Sequence, residues 1–214
     1  MKKIFFLILV VQLISCEKVK FTPDCDDSSI CHLVIQGKPD TNRITGTFLD
    51  TIKALFNANN ISLNNLYLYW YQRDDLGYFH IACLQYINNL NVLSDEVIFH
   101  FNQQGYYTSL SGEIISDIKV SSVPSLCIGH VVDLFLQNVE NDGFYSRDLQ
   151  KIKDGCISCE LCYWDLNSGV SYAEKKFTLA WRVKPLNSDY PWALINDTKN
   201  SPIFYDNGIR TWLP

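Results

Sequence analysis

The sequence predicts an α+β fold made of two small units, each an antiparallel sheet covered by a helix. Two observations carry this. Two stretches place apolar residues at helical spacing. Several others alternate at period two or are dense in aromatic and β-branched residues, with Asn-, Asp- and Gly-rich turns between them. The order helix-then-strands occurs twice, which divides the chain into units at 41–120 and 121–214, with no residue-level repeat between them. A sheet with one apolar face needs cover, and each amphipathic helix is the available cover.

In the first unit, Thr41 or Asn42 is placed to cap a helix running to about Ala58. Ile44, Phe48, Ile52, Leu55 and Phe56 fall on one of its faces. Leu66 to Arg73 (LYLYWYQR) is a strand by aromatic content, and Asp74-Asp75-Leu76-Gly77 turns the chain into a second strand, Tyr78 to Tyr86. Asn88-Asn89 forms the next turn. A hairpin follows, in which Val97, Phe99 and Phe101 alternate with Ile98, His100 and Asn102. Residues 102–105 (NQQG) supply its turn, and Tyr106 to Leu110 returns.

In the second unit, Ser125 is placed to cap a helix with Ile128, Val131, Val132, Phe135 and Val139 on one face. Glu140 to Ala173 reads as loop-rich. Phe177 to Lys184, Tyr190 to Ile195 and Pro202 to Tyr205 read as short strands, the last two joined by a turn over residues 197–200.

The N-terminus carries an address. Lys2 and Lys3 precede the apolar run Ile4 to Val11, a pattern that predicts a secretory signal over residues 1–15. The run is shorter than the roughly 20 apolar residues of a spanning helix. "LISC" resembles the bacterial lipobox, which makes Cys16 the expected site of lipid attachment and residues 16–40 a tether. The expected location is therefore the bacterial cell envelope, on a lipid-anchored membrane surface. A formal net charge of −5, more negative once Lys2 and Lys3 are removed, with no basic stripe, argues against nucleic acid as a partner.

The stretch "DDLGYFHIACLQYINNLNVLSDEVIFHFNQQGYYTSLSG" is similar to the propeptide of thermolysin-like and fungalysin-like metallopeptidases. The matching positions are Asp74, Gly77, His80, Gln85, Asn88, Val92, Glu96, His100, Asn102, Gly105, Ser109, Ser111 and Gly112. "FTLAWRVKPLNSDYPWALINDTKNSPIFYDNGIRT" resembles the second, PepSY-like half of such propeptides. In those enzymes the propeptide assists folding of a zinc peptidase and inhibits it. The resemblance implies a protein partner, an exported zinc metallopeptidase, and a non-enzymatic role as inhibitor or folding partner. The peptidase signature itself is missing: His32, His80, His100 and His130 form no HExxH, and there is no GxSxG. The expectation is a propeptide without its enzyme. The alternatives are a structural surface lipoprotein with an unrelated protein partner, or a redox or metal protein.

The last alternative comes from "CISCELC", which places Cys156, Cys159 and Cys162 at C-x-x-C-x-x-C. Disulfides are the default use of cysteine in an exported chain. Cys25 and Cys31 are placed to close a short loop, and Cys127, Cys156, Cys159 and Cys162 to form two bridges with several connectivities open, the CISCELC stretch reading as a stapled insertion. Cys83 lies in an apolar strand and reads as a buried free thiol. No metal or other cofactor is expected: His80 and His100 read as strand histidines with local hydrogen bonds, and Asp24, Asp26 and Asp27 as a solvated tether. Asn60 and Asn196 match glycosylation acceptors, which matter only in a eukaryotic source.

Overall fold

A computed structural model of the chain describes residues 30–170 and 173–209. The expected signal segment, Cys16, Cys25 and the acidic cluster at Asp24, Asp26 and Asp27 lie outside them. Among the described residues no helix is long and apolar enough to cross a membrane.

The mixed α+β class is as read. The strands, in chain order, are β1 (His32–Ile35), β2 (Leu66–Arg73), β3 (Phe79–Ile87), β4 (Leu90–Val92), β5 (Val97–Phe101), β6 (Tyr107–Ser111), β7 (Ile157–Asp165), β8 (Phe177–Pro185), β9 (Trp192–Asn196) and β10 (Ser201–Asp206). The helices are α1 (Gly46–Ala58), α2 (Ile128–Asn141) and α3 (Leu149–Asp154), the last entered through a 3-10 turn over Tyr145–Asp148. The strands form one continuous ladder in the order β10-β9-β8-β7-β4-β3-β5-β6, with β1 added to β7 and β2 to β3.

β3 joins the two halves. Its first residues pair with β2 on one side and β5 on the other, while Tyr86 and Ile87 turn into β4, which lies parallel to β7. Asn88 and Asn89 make this tight corner at positive φ, which Asn tolerates better than other side chains.

Each half has its own apolar core. In the first, Ile52 and Phe56 of α1 pack on Leu66, Leu68, Ile81, Cys83, Val97, Phe99 and Phe101. The Phe56 ring lies 4.8 Å from Phe99 and 5.6 Å from Phe101. In the second, Ile128, Val131, Val132, Phe135, Leu136 and Val139 recur at the spacing of one helical face and bury against β7, β8 and β9. Each such side chain contributes about 1.5–3 kcal/mol on burial.

The structure corrects four expectations. The first helix starts at Gly46, because the Asn42 carboxamide oxygen accepts the Leu68 backbone N–H at 2.9 Å instead of capping a turn. The presumed tether over 16–40 already contains β1, which fills the free flank of β7 in parallel register, His32 beside Ile157. The stretch Glu140 to Ala173, read as loop-rich, holds α3 and the central strand β7. β7 is buried nearly end to end, so it lacks the in–out alternation of a half-exposed strand. The sheets are also not purely antiparallel, since β1 and β4 both run parallel to β7.

Candidate protein-binding surface

The thirteen positions from Asp74 to Gly112 that match the propeptide pattern lie on β3 to β6 and the turns around them, and most have a visible structural task. Asp74 opens the β2–β3 turn and accepts the Tyr78 N–H at 2.9 Å through one carboxylate oxygen. Asn102 does the equivalent in the β5–β6 turn, accepting the N–H groups of Gln104 at 3.0 Å and Tyr106 at 2.9 Å. Gln85 is buried. It donates to the carbonyls of Asp95 (3.0 Å) and Glu113 (2.8 Å) and accepts the Ile115 N–H (2.8 Å), pinning the chain as it leaves β6. Gly112 follows β6 with φ +86, where a Cβ would collide with the carbonyl oxygen of Glu96. Asn88 donates to the Tyr163 hydroxyl at 3.3 Å, tying the corner to β7.

The two predicted strand histidines face each other. His80 and His100 are direct cross-strand partners on β3 and β5, with Nδ1 atoms 2.7 Å apart. His80 Nε2 lies 3.1 Å from Asp74 Oδ2, and His100 Nε2 lies 2.9 Å from the Ser111 hydroxyl. The result is a hydrogen-bonded chain from the β2–β3 turn to strand β6. The hydrogen bond from His80 holds the Asp74 carboxyl below its ordinary range, and burial followed by the neighbouring His80 lowers the His100 pKa. The sequence suggested local hydrogen bonds for both rings but not their mutual contact, which depends on strand register. Among the described residues no group of three or more His, Cys, Asp or Glu side chains gathers to hold a metal ion.

The pair stands on the face of β3 and β5 opposite the α1 core. Ile81, Cys83, Val97 and Phe99 point into that core, and strand alternation puts His80, Ala82, Ile98 and His100 on the other side. Trp70, partner of Ala82 on β2, is exposed. Strand β6 forms the outer end of the ladder, and among the described residues no further strand pairs with it. Tyr106 and Tyr107 stand exposed at its start. The hairpin tip is fastened to the end of α1, where the Asn59 side chain donates to the Gly105 carbonyl and accepts the Tyr107 N–H, both at 2.9 Å.

The second half has a different centre. Asp197, 1% exposed, accepts the backbone N–H groups of Ser125 (2.7 Å) and Leu126 (3.1 Å), the Ser125 hydroxyl and the indole N–H of Trp181 (3.0 Å). Ser125 therefore does not cap α2 with its own side chain; it is held by Asp197 just ahead of the helix, whose N-cap is Cys127. On the opposite face, Glu160 pairs with Arg182 and accepts from Asn91 at 3.1 Å. Asn196 is buried and its carboxamide oxygen accepts the Thr198 N–H at 3.0 Å, so this glycosylation-type position is occupied by a turn.

The cysteines depart from the expected pairing. Cys31 is bonded to Cys156, not to Cys25, and Cys127, Cys159 and Cys162 are free thiols. Cys159 and Cys162 both lie on β7 three residues apart, so the period of two directs them to opposite faces. Cys159 packs beneath α2, whereas Cys162 packs with Ala180 and Leu194. Neither a bridge between them nor a shared metal is open to that geometry. Cys83 is a buried free thiol.

No family model and no curated protein matches the chain. Among solved structures it shows a weak likeness to the Bacillus megaterium YpeB C-terminal domain, at 11% identity and a TM-score of 0.36, covering 80% of this chain and 70% of that one.

Proposed function

We propose that the protein is a non-enzymatic, exported lipoprotein whose first half binds a protein partner as a metallopeptidase propeptide does. The expected partner is an exported zinc metallopeptidase of the thermolysin-like class, which it inhibits or helps to fold. Cys16 is the lipid attachment site on this reading and places the protein on the bacterial envelope membrane. One observation carries the proposal: thirteen positions that resemble the propeptide pattern fall, in order, on the β2–β3 hairpin, the β4 corner and the β5–β6 hairpin, whose last strand is left as an edge among the described residues. An open strand edge flanked by exposed tyrosines suits recognition by strand addition, with main-chain hydrogen bonds for affinity and side chains for choice of partner.

A redox or metal function for Cys156, Cys159 and Cys162 loses its footing, since one is in a disulfide and the other two face apart. A surface lipoprotein with an unrelated protein partner uses the same edge and is separated by experiment. The chain, incubated with exported zinc peptidases at micromolar concentration, is expected to slow hydrolysis of a peptide substrate and to co-purify with the enzyme. Absence of both effects removes the peptidase from the proposal. Recovery of other envelope proteins in its place favours the surface lipoprotein.

A further inference from the structure

The chain Asp74–His80–His100–Ser111 accepts protons in a fixed way. With both rings neutral, every link is satisfied: Ser111 donates to His100 Nε2, His100 Nδ1–H donates to His80 Nδ1, and His80 Nε2–H donates to Asp74. One added proton reverses two of these bonds without breaking any. His80 then carries the charge beside the Asp74 carboxylate and donates from Nδ1 to His100, which in turn donates from Nε2 to the Ser111 oxygen. A second proton has no such solution. It places an N–H on each Nδ1, pointing donor at donor, with two positive charges across a gap of 2.7 Å.

Among the described residues no other charge stands ready to absorb the second proton. Gln72, opposite His80 on β2, is neutral. Arg73 is engaged with the Gly77 carbonyl at 3.3 Å and lies over the Phe79 ring. Asp75 is an exposed turn residue, and Glu96 is hydrogen-bonded to Tyr69. From β6 the neighbours are uncharged: Ser109 pairs with His100, Thr108 donates to the His100 carbonyl at 3.0 Å, and Ser111 closes the chain. Ser111 is exposed on an edge strand, so the relay ends on the rim of the sheet.

We propose that the His80–His100 pair is an acid-released latch fastening the β5–β6 hairpin to β3, closed by zero or one shared proton and opened by the second. The part of this that concerns binding rests on β6 being the pairing edge: acid loosens the hold of β3 on the hairpin that carries that edge, and the partner with it. The latch is intrinsic to the chain and is tested without any partner.

The full chain, labelled with nitrogen-15, is followed by NMR from pH 7.5 to 4.5. At neutral pH a scalar coupling through the hydrogen bond between the two Nδ1 atoms is expected, and it disappears as His100 takes up its proton. Over the same range, exchange of the β5 and β6 amide protons, corrected for intrinsic exchange, is expected to speed at least tenfold in the native protein. It stays flat in His80→Gln and in His100→Gln. Absence of the coupling at neutral pH, flat exchange in the native protein, or the same acid response in both variants overturns the latch. Failure of peptidase binding at every pH would instead strike the proposed function and leave these readings intact.

Discussion

Cys31 is covalently joined to Cys156, 125 residues away, at the point where β1 meets the start of β7. A cross-link closing so long a loop removes much of the freedom of the unfolded chain, worth up to about 5 kcal/mol on the chain-entropy account. Reduction, or Cys31→Ser, is expected to lower the denaturation midpoint by a corresponding amount. The comparison is a urea or guanidinium titration with and without reductant. A midpoint unchanged by reductant would contradict the pairing.

The free thiols differ in reach. Burial pushes the Cys83 and Cys159 thiols up to about 12, and raises Cys162 further. The thiolate is the reacting form, so these three resist alkylation in the native state. Cys127, half-buried ahead of α2, is the described thiol expected to react. Mass mapping after a short exposure to iodoacetamide checks this. Modification of Cys159 or Cys162 before unfolding would be inconsistent with a closed second core.

Gly112→Ala is expected to destabilise the first half by about 1–3 kcal/mol, the usual range for backbone held in a conformation its residue disfavours. The substitution meets both a positive φ and the Glu96 carbonyl. Gly143→Ala, where a Cβ meets nothing within 4 Å, is the matched control. Thermal melting of the two variants side by side makes the comparison.

Removing the Asp197 side chain leaves the Ser125 and Leu126 N–H groups and the Trp181 indole without their acceptor. Asp197→Ala is expected to cost roughly 3–5 kcal/mol, since several donors are stranded in a buried site. A changed emission of the buried Trp181 should accompany the loss. Asp197→Asn, which keeps an acceptor oxygen, should fall in between.

Stability should decline on the acid side in two stages. A lowered His100 pKa means that the folded chain holds fewer protons than the unfolded one below the ordinary imidazole value of about 6.5. That contribution is complete above pH 6.5 and is lost as pH falls through the depressed value. Asp74, also lowered, adds a term that is present above about pH 4 and is lost at lower pH. Denaturant midpoints measured from pH 8 to 3 should thus fall first below neutrality. In His100→Gln the first decline should vanish and the second persist.

What the sequence made legible was local. α1, α2 and the strands around the His80 and His100 hairpins announce themselves through periodicity and turn residues close in the chain. β1 and β4 were missed because they are short and draw stability from parallel pairing with β7, more than 60 residues away in the chain. β7 was missed because burial on both faces erases alternation, while Cys156, Cys159 and Cys162 invited a chelate reading. That reading assumed a loop, in which i and i+3 thiols converge; on a strand they diverge. The contact between His80 and His100 required register, which turn chemistry alone does not specify.

The covalent seam at Cys31 also has a mechanical side. Any pull applied to the chain ahead of residue 31 passes through sulfur directly into the backbone of the sheet's innermost strand, bypassing the few hydrogen bonds of β1. A tug from the N-terminal side would reach β4 and β8 through their ladders with β7, and the second apolar core through the β7 side chains buried in it, while the rim at β6 lies at the far end of the ladder.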